Sequence, residues 1–420
     1  FRAVEPGRMS FQASRSMEER EGAFFFLVGS AMTFTWFLDL KKPGFFNGIL
    51  GGEGMELPIL VENQGMERQV PPTYQAELER QQYRMVGTHS AVKVCGWTKN
   101  MLRGEGGCYK FKFYGIRSHQ CMQMTVNMSC ANRCTFCWRG YKAPVEREWK
   151  WKVDDPGFII EESLEAHRKL LEGFGGNAKV AKAVFEQSKH VGHVALSLTG
   201  EPIAYPKINE LCNAFHSRNI STFLVTNAQY PEAIKNLETV TQLYLSLDGP
   251  TKEILKEVDK PLFEDFWERY IQSLDETKKK KYRTTARLTM VKGMNDVETP
   301  KYAELILRGD FDFVEVKGYM HVGESQKRLS RDNMPTFEEV KAFGLRVLED
   351  LPEYEWAGEH VPSDVILLAK KKYHKRTWID FDAFFEIMNG KNPESNLDAE
   401  RYSVATQKSP ESERDVGVLQ

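Results

Sequence analysis

The sequence predicts an α/β fold: a partial (β/α)6 barrel with a cysteine-bearing segment on its N-terminal side. Three observations predict it. From residue 122 onward, short apolar runs alternate with amphipathic stretches, the pattern of βα units around a parallel sheet. Six such runs occur, and Gly200, Asn227, Asp248 and Gly293 each stand just after one, where the chain must turn. Six of the seven cysteines crowd into residues 95–137, leaving only Cys212 apart. That clustering is no disulfide scaffold; it points to metal ligation in a reducing compartment. With 57 Lys and Arg against 59 Asp and Glu, the net charge of −2 excludes a global basic field, so any nucleic-acid site has to be a local patch. The 41% hydrophobic content over 420 residues supports a sizeable core and excludes a disordered or fibrous chain.

In chain order, residues 1–65 read as an extension outside the functional unit. They hold a 17-residue uncharged stretch, 22–38, marginal in length for a membrane span. No basic n-region or small-residue cleavage site accompanies it. Upstream sequence before a start at Met55 or Met66 is the preferred reading and a membrane anchor the other; the expectation is a cytoplasmic protein without stable membrane association. Residues 66–121 are rich in Gly and aromatics and carry three cysteines without a long helical period. Residues 122–345 hold the barrel, with strands expected at 124–128, 193–198, 222–225, 242–247, 286–291 and 312–316 and helices at 161–172 and 208–217. Chemistry in such barrels sits at the strand C-terminal ends. Residues 346–390 carry a further strand at 365–369, a basic run from Lys370 to Arg376, and the segment Trp378-Ile379-Asp380-Phe381. The polar tail, 391–420, is expected to be disordered.

Cys130, Cys134 and Cys137 form C-x3-C-x2-C in SCANRCTFCWRG. Thiolates are soft ligands for iron–sulfur clusters or zinc, and three of them leave one iron of a cubane cluster open. An open position marks a catalytic centre rather than a closed structural one. Zinc with a distant fourth ligand, Cys121, His119 or Cys108, is the alternative, although zinc motifs favour C-x2-C pairs. With Phe136 before its last cysteine, the motif resembles that of the radical S-adenosylmethionine (SAM) superfamily, over residues 122 to 323. The resemblance implies a 4Fe–4S cluster whose open iron chelates the amino and carboxylate groups of SAM, followed by one-electron cleavage to a 5′-deoxyadenosyl radical. It also implies SAM contacts at strand ends. These are Thr199, Gly200 and Glu201 in SLTGEP, where Thr199 replaces the first glycine of the family's Gly-Gly-Glu segment, then Thr226 and Asn227, Ser246 and Asp248 in LSLDGP, and Thr289. Thr-Asn and Asp-Gly after a strand are also ordinary turn chemistry.

Cys95, Cys108 and Cys121 are spaced C-x12-C-x12-C, which reads as a second cluster with one iron unfilled or as three buried thiols. Residues 108–113 alternate with a period of two. As a strand they place Cys108, Lys110 and Lys112 on one face and three aromatics on the other, with Lys110 about 7 Å from Cys108. An amine held beside a metal-bound carbonyl compound can form a Schiff base once it loses its proton; a solvated strand lysine is the other reading.

The paired triads, the Phe-Cys-Trp-Arg end of the first motif and the Trp-Ile-Asp-Phe segment resemble the tRNA 4-demethylwyosine synthase family over residues 77 to 385. That resemblance implies two 4Fe–4S clusters, pyruvate on the second, and Lys110 as the Schiff-base lysine. The implied nucleoside is N1-methylguanosine-37 in the anticodon loop of tRNA-Phe. Hydrogen is abstracted from its N1-methyl group and that carbon is joined to two pyruvate carbons, giving 4-demethylwyosine. Some members carry an N-terminal flavodoxin-like domain. Residues 1–94 show no phosphate-binding loop, so the resemblance is to the short archaeal form, which implies an external electron donor; a monomer is expected. A radical SAM enzyme with an auxiliary cluster acting on another RNA or a peptide is the alternative. For RNA, the run from Lys278 to Arg283 reads as a solvated helix end. The run from Lys370 to Arg376, interleaved with Tyr373, His374 and Trp378, suits backbone contact plus stacking on an unpaired base. Arg133, Trp138 and Arg139 stand beside the first triad, where an extruded target nucleotide would arrive.

Overall fold

A computed structural model describes residues 69–140, 142–390 and 393–406. The 1–65 extension and its apolar stretch lie outside the described residues. Among the described residues no helix is long and apolar enough to cross a membrane. Twelve strands are named in chain order: β1 Arg84–Val86, β2 Ser90–Lys93, β3 Cys121–Thr125, β4 His193–Leu196, β5 Ser221–Thr226, β6 Gln242–Ser246, β7 Arg283–Met290, β8 Phe313–Gly318, β9 Tyr354–His360, β10 Val365–Lys370, β11 Trp378–Ile379 and β12 Ser403–Val404. The first ten form one sheet in the order β1-β2-β3-β4-β5-β6-β7-β8-β10-β9. From β3 to β8 every neighbouring pair is parallel, which is the expected partial (β/α)6 barrel. β2 pairs antiparallel with β3 on one side and β10 antiparallel with β8 on the other.

This hydrogen-bonding corrects the expected domain boundaries. The cysteine-bearing segment and the 346–390 segment are not separate units, because β1-β2 and β10-β9 extend the barrel sheet itself. A cut at 345/346 would sever the Phe337–Glu349 helix, whose Thr336 and Glu339 form a reciprocal capping box. The six parallel strands fall where expected, although β3 begins at Cys121, three residues early, and β7 at Arg283, also three early. The helix expected at 161–172 starts five residues sooner, at Pro156. Asp155 accepts bonds from the amides of Gly157 and Phe158, and Pro156 occupies the first turn, where its missing N–H costs nothing. Its Ile159, Ile160, Ser163, His167 and Leu171 recur at helical spacing and face the core.

Two expectations fail. Residues 109–114 form a helix, Tyr109–Tyr114, ended by Gly115 in the left-handed region (φ 75°). Apolar packing surrounds this segment, so the aromatic alternation does not report one buried face. Phe111 packs on Trp378, Tyr114 on Tyr244 and Phe313, and the hydroxyls of Tyr109 and Tyr114 donate to Glu315 at 3.1 and 2.7 Å. The helix thus plugs the lower bore of the barrel. Residues 393–406 of the tail also depart from disorder: β12 pairs with β11, and buried Tyr402 and Ser403 reach the fully buried Arg283. The Arg283 guanidinium donates from Nε to Gln242 (2.9 Å), from Nη2 to the Thr377 carbonyl (2.6 Å) and from Nη1 to Ser403 Oγ.

The basic run fares differently. Val365 pairs with Lys317 and Ala369 with Phe313, so the chain leaves β10 at the N-terminal end of the parallel strands, opposite the catalytic rim. Tyr373 and Trp378 are buried, Lys370 is buried and paired with Asp310 at 2.7 Å, and Lys372 pairs with Asp312 and Glu400. Neither aromatic is presented for base stacking. This segment seals the barrel floor.

Candidate active site

The first triad sits in the loop that leaves the C-terminal end of β3. Neighbouring backbone pins this loop from several sides. The amide of Cys130 donates to the Pro144 carbonyl and that of Glu146 to the Cys130 carbonyl; the amides of Arg133 and Thr135 donate to carbonyls of Asp259 and Val258 at the end of the Lys252–Asp259 helix. Arg328, from the segment that follows β8, reaches the cysteine-bearing loop, its Nε donating to the Thr135 carbonyl at 2.9 Å and its Nη2 to that of Cys137. Cys134, Cys137, Arg139 and Arg328 line one cleft. Arg139, expected near the nucleotide, turns inward and donates to the Met128 carbonyl at 2.9 Å. Trp138 stacks on Tyr83 with ring centroids 6.0 Å apart, and Lys93 Nζ lies 5.0 Å from the Trp138 ring centre. Arg133 is exposed at the rim.

Six of the expected SAM contacts are tied to this loop or to one another. Gly200 has φ 69°, and a Cβ there would stand 1.8 Å from the Asn127 carbonyl oxygen, so only glycine permits this approach. The Glu201 amide donates to the Ser129 carbonyl (2.8 Å), and Asn127 Nδ2 to that of Glu201 (2.9 Å). Thr125 Oγ1 donates to the Thr199 carbonyl at 2.6 Å. The Asn227 amide donates to Glu201 Oε2 at 2.8 Å, the Thr226 side chain also bonds that carboxylate, and Asn227 Nδ2 lies 3.4 Å from Cys130 Sγ. Asp248 Oδ1 accepts from the Thr289 amide at 3.1 Å and so holds the β6 and β7 ends together, while Ser246 is half-buried at the end of β6. Burial pushes Glu201 up to about 7 and Asp248 up to about 6. Glu201 Oε1 is buried without a hydrogen-bond partner. A carboxylate oxygen left so accommodates an ammonium group, the charge type of the SAM amino group.

The second triad lies lower. Cys121 opens β3 and Cys95 follows β2, while Cys108 caps the plug helix. All three line a cavity of about 260 Å³ in the barrel bore, which rises past Gln123 and Ala195 to Ser197, two residues short of Thr199. Lys110 lines it as expected, with Nζ 4.8 Å above the Tyr244 ring. Lys112 does not. On a helix, positions two apart diverge by about 200° rather than sharing a face, and Lys112 lies instead near Glu359.

Burial pushes Cys108 and Cys121 up to about 12 and Cys130 up to about 11, so thiolates persist there only when a cationic partner compensates them. Among the described residues no three Cys, His, Asp or Glu side chains converge as a single-ion site requires. The lower triad instead surrounds a cavity, and Cys134 and Cys137 of the upper one line a cleft, which suits clusters that offer separate irons to separate thiolates. Sequence reasoning missed Asn127, Arg328, Arg287, Glu315 and Lys317. The last three had a signal: charges at inward positions of otherwise apolar core strands.

Residues 124–306 match the Radical SAM superfamily and residues 308–370 match wyosine base formation. A solved structure of TYW1 with a lysine–pyruvate adduct bound is 34% identical, with a TM-score of 0.66, covering 73% of this chain and 98% of that one. The chain belongs to the tRNA 4-demethylwyosine synthase family. A crystal structure of archaeal TYW1 aligns with a TM-score of 0.60 at 31% identity, over 72% of this chain and 98% of that one. The S-adenosyl-L-methionine-dependent tRNA 4-demethylwyosine synthase TYW1 of Xenopus laevis is 48% identical over 342 residues, 80% of this chain and 46% of that protein. The synthase of Schizosaccharomyces pombe is 48% identical over 333 residues, 76% of this chain and 48% of that protein. The chain thus spans about half the length of the curated synthases it matches. Family membership makes it a radical SAM protein, for which SAM and an iron–sulfur cluster are the cofactors.

Proposed function

We propose that this chain condenses N1-methylguanosine-37 of tRNA-Phe with pyruvate to form 4-demethylwyosine, using two 4Fe–4S clusters, one on Cys130, Cys134 and Cys137 and the other on Cys95, Cys108 and Cys121. The observation that carries this reading is the shared bore: one triad at the C-terminal rim of the strands, the other in the cavity beneath, and Lys110 in that cavity's wall. A pyruvate adduct on a lysine is bound in a related structure. When bound, the upper cluster with SAM supplies radical hydrogen abstraction and the lower cluster an open iron for the co-substrate.

The chain's own residues supply the rest. Glu201, Asn227 and Thr226 orient the SAM amino acid end, and Gly200 lets that segment close on the cluster loop. Lys110, as the free amine, adds to the ketone carbon of pyruvate; water leaves and an imine links Nζ to that carbon. Phe111, Phe113 and Tyr109 are buried around this lysine's helix and keep bulk water from the imine. The enzyme acts in the cytoplasm. Incubation with methylguanosine-bearing tRNA, pyruvate, SAM and a reductant should yield a tricyclic base in the nuclease digest, and Lys110→Ala should yield none. SAM cleavage without that base would redirect the assignment to another radical SAM substrate.

A further inference from the structure

The wall of the lower cavity carries three cations, Lys110, Arg287 and Lys317, and among the described residues no carboxylate lines it. Two of the three are accounted for. Arg287 is answered by Glu315, 3.8 Å away on the paired position of β8, and Glu315 is itself held by the Tyr109 and Tyr114 hydroxyls. Lys110 is the amine of the imine. Lys317 remains. Its Nζ donates to a neutral acceptor, the Ser363 carbonyl at 2.6 Å, which leaves two of its three donors for the cavity. A buried ammonium is costly unless an anion meets it. Of the groups that favour its charge, Cys108 stands on the cavity wall, while the two acids, Asp364 and Glu315, act from outside it.

We propose that Lys317 binds the carboxylate of the co-substrate and so restricts this cavity to 2-oxo acids over uncharged carbonyl compounds. The inference rests on the pyruvate reading above. Lys317 and Lys110 face the same cavity from β8 and from the plug helix, so the two nitrogens address different ends of one small molecule: an ion pair at C1 and an imine at C2. Lys317 makes no covalent bond in this scheme and no electrons move through it; it is a positioning residue.

The test uses the full chain with its clusters reconstituted anaerobically, labelled pyruvate, the neutral methyl ester of pyruvate, and borohydride trapping read on peptides. In the parent chain pyruvate should label the Lys110 peptide. Lys317→Met should raise the half-saturating pyruvate concentration at least about thirty-fold, the usual scale for removing one partner of a buried charge pair, and Lys317→Arg should recover most of it. Trapping of the methyl ester should hardly change in either variant. Should the Met variant fail to fold, Lys317→Gln, which keeps a donor for Ser363, reads the same pyruvate-to-ester ratio. Unchanged half-saturation for pyruvate, an equal loss for the ester, or label on Lys317 itself would overturn the role given to Lys317. Absence of label in the parent chain would overturn the pyruvate reading and the inference with it.

Discussion

Three buried histidines make the folded chain sensitive to acid. Burial holds His167 down to about 4 and His193 and His216 down to about 3, against about 6.5 for an unfolded chain. The folded chain therefore resists protonation at these rings while the unfolded chain accepts it. Their contribution is fully present well above pH 6.5 and is lost progressively as pH falls through 6.5 toward the folded values. At pH 5.5 each histidine costs roughly 1.4 kcal/mol, about 4 kcal/mol together, while Glu201 and Asp248, held above their unfolded values, take up protons in the folded chain over the same range and offset part of it, so a urea titration at pH 7.5 and 5.5 should show a net loss smaller than that sum. His167 tests the cause, because neither ring nitrogen has a hydrogen-bond partner. His167→Leu should match the parent at pH 7.5 and lose about 1.4 kcal/mol less at pH 5.5; an equal loss would place the acid sensitivity elsewhere.

At the scale of elements, two short pieces do more than their length suggests. The helix Tyr109–Tyr114 closes the bore from below and aims Lys110 at the cavity, while the β11–β12 pair locks that helix in place. Thr377 Oγ1 donates to the Phe113 carbonyl and Trp378 Nε1 to that of Lys112, at 2.7 and 3.0 Å. Arg283 is the anchor beneath both. A chain ending at Asn396 loses the Tyr402 hydroxyl and Ser403 Oγ, strands a buried guanidinium and opens a cavity the size of a tyrosine. Such losses cost about 4 kcal/mol or more. A chain ending at Thr406 keeps every contact described and should unfold at a higher urea midpoint than the chain ending at Asn396. Equal midpoints for the two truncations would mean that the tail bears no part of the barrel's stability.

For the whole molecule, the two triads are separable. Cys121 and the Cys130 loop lie at opposite ends of β3, so emptying the lower site leaves the upper loop's backbone contacts to Val258, Pro144 and Arg328 intact. The triple variant Cys95→Ala, Cys108→Ala, Cys121→Ala should hold about four irons per chain against about eight in the parent. It should still cleave SAM and form no tricyclic base. A parent holding only about four irons would end the two-cluster reading.

The legibility of this protein divides along one physical line. Motifs whose chemistry is set by residue type and local spacing stand open in the sequence: C-x3-C-x2-C, the Gly200 turn and the period of the six parallel strands, whereas Lys110 is singled out through the family resemblance and not by its spacing. Contacts made across long separations do not. That Tyr109–Tyr114 is a helix, that Tyr373 and Trp378 are floor rather than RNA platform, and that Lys317 faces the same cavity as Lys110 each depends on a partner about 40 to 270 positions away. A six-residue segment packed on every side carries no period that distinguishes strand from helix, and a basic run looks the same whether it meets tRNA or the acids beneath a barrel. The sequence by itself marked a radical SAM, iron–sulfur protein through a local motif and the family it resembles, since ligand atoms and their spacing are local. Only the tertiary structure decided which charges share a cavity, because that depends on strand register and on which end of the sheet a segment returns to.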